Sequence, residues 1–454
     1  MYDLIIRKGK LVKPDGILEA DIAIKDGKYA AFLAPGSAAE AKEVVDAEGC
    51  CVFPGIIDCH AHLNEPGFEY REDFATGTRA AAAGGTTTLM DMPLNNDPPL
   101  TNRAAFELKL SRIQKKAAVD YALWGGIIDD NTDELVDLKE CGVAAFKGFT
   151  CPNGDLFPAV NLGHVRRALE LLKPYGALCG FHCEEYGQIL ERERRLKAGG
   201  SGDPIRDFLD VHDLWAEYVA TQNVIDMARA TGGRVHICHV SHPKVAQLVR
   251  EAKAEGLPVT AETCPHYLAF TEKIVFEKGA PAKCTPPMRD EAAKEGLWEY
   301  VLDGTLDCIG SDHSPAADGE KDNALGIWEA WGGLNTIQYF LPLMFDLVVH
   351  QRKLSPCLIA RTMGEMPAKI FGLRDRKGAF EIGLDGDAVV LDPQKAWTVT
   401  RESLLTKGHI SILEGISGKG AAVRTIVRGR TVAQDGAFEE DAFGYGSFLR
   451  PAQY

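Results

Sequence analysis

Two hydrophobic patterns alternate along most of this chain. Short, nearly continuous apolar runs begin near Phe53, Thr86, Tyr121, Ala144, Ala177, Arg234, Val259 and Asp307. Between them, apolar positions recur at helical spacing over residues 71–83, 102–115, 161–173, 208–231 and 243–255. Runs apolar on both faces suit strands of a buried parallel sheet, and the periodic intervals suit the helices that cover it. Eight such units in about 300 residues predict an α/β fold, a (β/α)8 TIM barrel over residues 55–379. A last helical region, 326–351 and 360–371, is expected to complete it.

The flanks read differently. Residues 1–54 carry short alternating runs, such as Ile22 and Ile24, with turns at Asp15-Gly16 and Asp26-Gly27. Residues 388–391 and 423–427 have the same character, and Ile5 to Val12 is echoed weakly by Ile426 to Val432. Both termini are therefore expected to build one small β-sandwich domain, from residues 1–54 and 380–437. Residues 438–454 show no period and are expected to be an oligomer arm or a loose tail.

Composition narrows the function classes. With 454 residues, 45% hydrophobic and 25% charged, the chain is long enough for one large domain and a smaller one. Its net charge of −15, with Lys and Arg scattered, argues against nucleic acid as a partner. No apolar run approaches the length of a membrane span and Met1 is followed by no leader-like segment, so a soluble cytoplasmic protein is expected. The 12 cysteines lack disulfide-scaffold spacing and are expected to be reduced.

The chemistry lies at the ends of the apolar runs. Asp58-Cys59-His60-Ala61-His62 puts two imidazoles on one face of a strand. Lys147, His182, His239 and Asp312 stand at the ends of the fourth, fifth, sixth and eighth runs, the edge where barrels carry their active sites. His236 competes with His239, because a spacing of three puts them on opposite faces. His313 is expected to face away from the site. His164, His212, His242, His266, His350 and His409 are read as surface or satisfied histidines.

Two divalent ions held by neutral imidazoles and Asp312 alone would leave excess positive charge. A Lys147 ammonium would add to it. Reaction of Lys147 with CO2 gives a carbamate, an anion able to bridge both ions. The expected arrangement is His60, His62 and Asp312 on one ion, His182 and His239 on the other, and carboxylated Lys147 across them. A bridging water would then be acidified to hydroxide and attack an amide carbonyl, with Asp312 moving the proton to the leaving nitrogen.

These motifs, with Pro54-Gly55-Ile56-Ile57 before them, Glu262-Thr263-Cys264-Pro265-His266-Tyr267-Leu268, and Ser311-Asp312-His313-Ser314-Pro315, resemble the metal-dependent amidohydrolase superfamily across nearly the whole chain. Within it they are similar to the cyclic amidases: dihydroorotase, hydantoinase (dihydropyrimidinase) and allantoinase. The resemblance implies a binuclear zinc site, a carboxylated lysine and a homotetramer. Asn64 stands where dihydroorotases carry Arg, which removes the anchor for a substrate carboxylate. No Tyr follows Lys147 where hydantoinases have one. Asp91 to Asn95, Ala282 to Asp290 and Ala330 to Gly333 look most like allantoinase, which opens the hydantoin ring of allantoin to allantoate in purine catabolism. Asn64, Asn95, Cys284 and Thr285 are the candidates for binding that small, polar ring. Two rival readings are a silent assembly protein on the same fold and an aldolase using Lys147 as a Schiff base, which would leave the histidines and Asp312 without a purpose.

Overall fold

The computed structural model describes residues 1–452. Eight parallel strands form the central sheet, each paired with the next: β1 (Ile56–Ala61), β2 (Thr86–Asp91), β3 (Asp120–Gly126), β4 (Ala145–Phe149), β5 (Leu178–His182), β6 (Arg234–Ile237), β7 (Val259–Thr263) and β8 (Cys308–Ile309). The segment after β8 closes the ring. His62 N donates to His313 O at 2.7 Å, and Ala61 pairs with His313 in parallel. The fold is a (β/α)8 barrel, as the alternation of the two hydrophobic patterns implies.

The strands are buried along their length because helices cover the outside and side chains fill the inside. Trp124 plugs the interior, 5.2 Å from the Phe371 ring, and its indole N–H donates to Cys59 O at 3.1 Å. One boundary differs from the reading of the sequence. Phe53 belongs to Cys51–Pro54, which pairs with the strand Ala388–Thr398 outside the barrel, and β1 starts only at Ile56. Gly55 separates them, at a crossing where a Cβ would sit 2.4 Å from Thr87 Oγ1.

Strands from both ends of the chain make two further sheets. One has seven strands, in the order Ala437–Phe438, Arg430–Gln434, Ser417–Val427, Ala388–Thr398, Cys51–Pro54, Lys10–Lys13 and Gly16–Glu19. The other holds Lys28–Leu33, Asp21–Lys25, Tyr2–Arg7 and Ala41–Asp46. Lys377 fastens this part to the barrel floor. Its buried Nζ lies 2.6 Å from Asp120 Oδ2, 2.7 Å from Asp387 Oδ2 and 3.0 Å from Asp385 Oδ2.

Three helical expectations are corrected. The periodic stretch 208–231 is two helices, Pro204–Val211 and Leu214–Thr231, because Asp213 caps a new start through Trp215 N and Ala216 N. The region 326–351 is interrupted: Gly326–Glu329 is a single turn, and helical structure resumes only over Ile337–Gln351. Tyr186–Gly199, absent from the sequence reading, is helical with Ile189 as its one buried residue, so it carried no apolar stripe to detect.

Where it is described, the tail is not loose but packs on the barrel of its own chain. Tyr121 N donates to Ser447 O at 3.0 Å, Leu449 N donates to Tyr121 O at 2.7 Å, and Leu449 is fully buried beneath β3. Residues 453 and 454, the end of that tail, lie outside the described residues.

Candidate active site

The parallel sheet sends all eight strand ends to one mouth, and the polar side chains gathered there come from five of them. His60 is in β1, and His62 follows it on the same face as the strand ends. Both turn their Nε2 atoms toward Asp312 Oδ1, at 3.2 and 3.6 Å. Lys147 projects from β4, and His182 is the last residue of β5. His239 lies two residues beyond β6. Asp312 follows β8.

His182 Nδ1 and His239 Nε2 face each other at 3.1 Å. The His60 and His239 rings are 5.5 Å apart, which brings the two half-sites together. Backbone geometry helps aim these groups: His239 and Asp312 take φ of +38° and +47°, a region L-residues seldom occupy.

Behind this ring stand two buried glutamates. Glu262, in β7, meets His60 Nδ1 with Oε1, while its Oε2 lies 3.2 Å from Cys59 Sγ and 3.4 Å from His236 Nε2. Glu184 takes His182 Nε2 at 2.7 Å and His212 Nδ1 at 2.8 Å. Burial works to raise both carboxyls, and the adjoining imidazoles outweigh it, holding both well below the usual carboxylate range. Asp312 is held low in the same way, against its burial, by His60 and His62. For His239, burial first and then the cationic form of Lys147 hold the imidazole well below its usual range.

The two histidines at β6 point in different directions. His236 points into the barrel, where Nδ1 meets Thr260 Oγ1 at 2.8 Å, and His239 lines the mouth. His313 faces away from Asp312, with Nδ1 accepting from Thr336 N at 3.1 Å. His266 departs from its reading as a surface or satisfied histidine. It is buried beside Asp312, neither ring nitrogen has a partner among the described residues, and burial pushes its pKa down to about 4. His212 is satisfied, yet it is also part of the cavity wall.

Do these residues suit a metal pair? Lys147 is fully buried and its Nζ has no hydrogen-bond partner among the described residues, with the Cys238 thiol and the Phe149 ring as neighbours. With Nε2–H of His182 committed to Glu184, its Nδ1 turns a lone pair toward His239 Nε2. His239 Nδ1 has no partner among the described residues, so a proton held there would leave both inner nitrogens free to ligate a cation. The ligand atoms of His60, His62 and Asp312 also lie within 4.8 Å of one another. Imidazoles, carboxylate and a partnerless amine in one water-accessible mouth fit divalent ions of the zinc type.

Above the ring opens a cavity of about 320 Å³. Asn95, Cys284 and Thr285 line it, together with Asn153, Lys283, Ser314 and Trp331. Asn95 Nδ2 lies 3.4 Å from His62 Nδ1. Asn64 is not brought to the wall. It follows β1 in a left-handed turn at φ +53°, where Asn is tolerated, and both side-chain polar atoms are buried without partners among the described residues. Its place as a ring contact is therefore withdrawn.

Sequence reasoning assigns no task to Glu262, which stands in the Glu262–Leu268 motif, or to Glu184. A carboxylate inside an apolar barrel strand was the available signal for Glu262. For Glu184 it was a carboxylate two residues after a candidate ligand.

Comparison with known proteins gives a consistent result. The family model described as "Amidohydrolase family" matches residues 51–432. The chain is 37% identical to a protein named allantoinase from Bacillus velezensis, over 100% of this chain and 98% of that one. It is 38% identical to one of the same name from Deinococcus radiodurans, over 99% of each. Among solved structures, the L-hydantoinase (dihydropyrimidinase) from Arthrobacter aurescens superposes with a TM-score of 0.96 at 32% identity, covering 99% of this chain and 100% of that one. A dihydropyrimidinase from Brevibacillus agri superposes with a TM-score of 0.91 at 27% identity, over 99% of each chain. Among the described residues, no helix is long and apolar enough to cross a membrane.

Proposed function

The chain belongs to the amidohydrolase family, and on that premise we propose that it hydrolyses a cyclic amide, opening the hydantoin ring of allantoin to allantoate. One observation carries the chemistry: four imidazoles, Asp312 and a buried, partnerless Lys147 meet at one barrel mouth below an open, polar-lined cavity. The substrate rests on relatives named allantoinase along the full length.

In this reading His60, His62 and Asp312 would hold one ion and His182 and His239 the other, with Lys147, carboxylated by CO2, as the shared anionic ligand. Zinc suits the nitrogen-rich donor set. When bound, the pair supplies Lewis acidity, which polarises the ring carbonyl and makes water acidic near neutral pH. The remaining work falls to the chain. Asp312, ionised from the outset, takes the proton of the attacking water and returns it to the ring nitrogen as the C–N bond breaks. Asn95, Cys284 and Thr285 are placed to bind the uncharged ring by amide, thiol, hydroxyl and backbone groups. The Trp331 indole shields the mouth; Arg71 stacks on it at 3.9 Å and is held by Glu320.

A homotetramer suits the apolar groups left outside. Tyr186, Leu190 and Trp215 are exposed on adjoining helix starts. Turnover in purine catabolism follows from the substrate. A second reading, hydantoinase, is supported by the Arthrobacter structure. Turnover of allantoin, hydantoin, dihydrouracil and dihydroorotate, compared side by side on metal- and bicarbonate-loaded protein, separates them. Allantoin is expected to lead by tenfold or more in kcat/KM, and a lead for hydantoin or dihydrouracil would transfer the assignment.

A further inference from the structure

A fully buried carboxylate ordinarily needs a cation beside it. The chain follows that rule at Glu217, which is buried and paired with Arg289 at 2.9 Å. Asp58 and Glu72 are exceptions that meet no candidate ligand's ring nitrogen; Glu262 and Glu184 are exceptions that do. Both are 0% exposed, and among the described residues each is ion-paired only with histidines, never with Lys or Arg. The nitrogens they hold are the outer ones of two candidate ligands, His60 Nδ1 and His182 Nε2. The inner nitrogens, His60 Nε2 and His182 Nδ1, face Asp312 and His239.

The two glutamates are therefore arranged alike around different halves of the site. Each accepts the N–H of one imidazole and so leaves the opposite nitrogen with a lone pair aimed inward. Charge gives the same result. Two divalent ions bring four positive charges, of which Asp312 and a Lys147 carbamate balance two. One carboxylate behind each half-site balances the rest.

Resting on the binuclear reading above, we infer that Glu262 and Glu184 are the positioning residues of the two metal sites. Glu262 fixes the Nε2 face of His60 for one ion and Glu184 the Nδ1 face of His182 for the other, and the cations the pair lacks in the chain are those ions. His236 Nε2 lies 3.4 Å from Glu262 Oε2 without a hydrogen bond, and its Nδ1 is occupied by Thr260. Glu184 shares its second oxygen with His212, at the cavity wall.

The test is metal affinity rather than turnover. Metal-free wild type, Glu262→Gln and Glu184→Gln are titrated with Zn2+ against a chromophoric chelator, and each apoprotein is melted. Each variant is expected to lose 10- to 100-fold in affinity for one of two ions, the second-sphere effect on metal binding. Each apoprotein should melt no lower than wild type, since a buried charge has been removed. Glu262→Asp, which keeps the charge, should recover part of the affinity, and the Co2+-substituted spectrum of Glu262→Gln should differ from wild type. Wild-type affinity for both ions in both variants would overturn the inference, as would a loss of affinity that merely follows a lower apoprotein melting temperature. A wild type that takes up no metal would overturn the binuclear reading and this inference with it.

Discussion

Lys147→Ala is expected to strip the protein of metal and reduce ring opening to background. The side chain is fully buried on β4 and has no hydrogen-bond partner among the described residues. A bare ammonium held there would be buried with none of its N–H groups hydrogen-bonded among the described residues. As a carbamate the same side chain is anionic, and the ions it bridges supply the compensation. Alanine removes the bridge and leaves room for a substitute. Short carboxylic acids such as acetate or propionate should then restore part of both metal content and turnover. Full activity and full metal content in the variant, without added acid, would mean that Lys147 bridges nothing.

Asp312→Asn is expected to lower kcat by about 10³-fold while leaving metal content and KM within a few-fold of wild type. The substitution preserves shape and one ligating oxygen, so it separates holding an ion from moving a proton. General acid–base groups typically contribute about 10²–10⁴-fold. Burial opposes ionisation of Asp312, and His60 and His62 overcome it, so the carboxylate is ready to accept a proton at neutral pH. A loss below tenfold with intact metal content would assign the proton to another group. His266 is then the first to examine, buried beside Asp312 with both ring nitrogens unpartnered among the described residues.

Much of this site can be read along the chain because barrels obey a simple rule. A polar residue that ends an apolar run is delivered to a common rim, whatever its position in sequence. His60, His62, Lys147, His182, His239 and Asp312 all follow the rule, and five of the eight strand ends supply them. What the rule does not convey is direction beyond the strand. His236 and His239 differ by the left-handed turn at His239, and Asn64 is turned from the cavity by another. Neither turn has a signature in composition.

Long-range partners were hidden for a related reason. Glu262 reaches across the barrel from β7 to His60 on β1, a contact 202 residues apart in sequence. Local periodicity carries no information about such a pair. Leu449 is similar: its burial depends on pairing with Tyr121, and the residues around it have no pattern of their own. The helix Tyr186–Gly199 was missed because one buried residue leaves no stripe.

Everything proposed for this site requires Lys147 to be a metal-bridging carbamate. Protein produced with 13C-bicarbonate and Zn2+ can be examined for metal content and for a 13C carbamate resonance in the same sample. Two ions per chain and one enriched carbamate carbon, lost together on chelation, is the result predicted here. Ring opening by protein that holds no ion, with Lys147 as an unmodified amine, would contradict it.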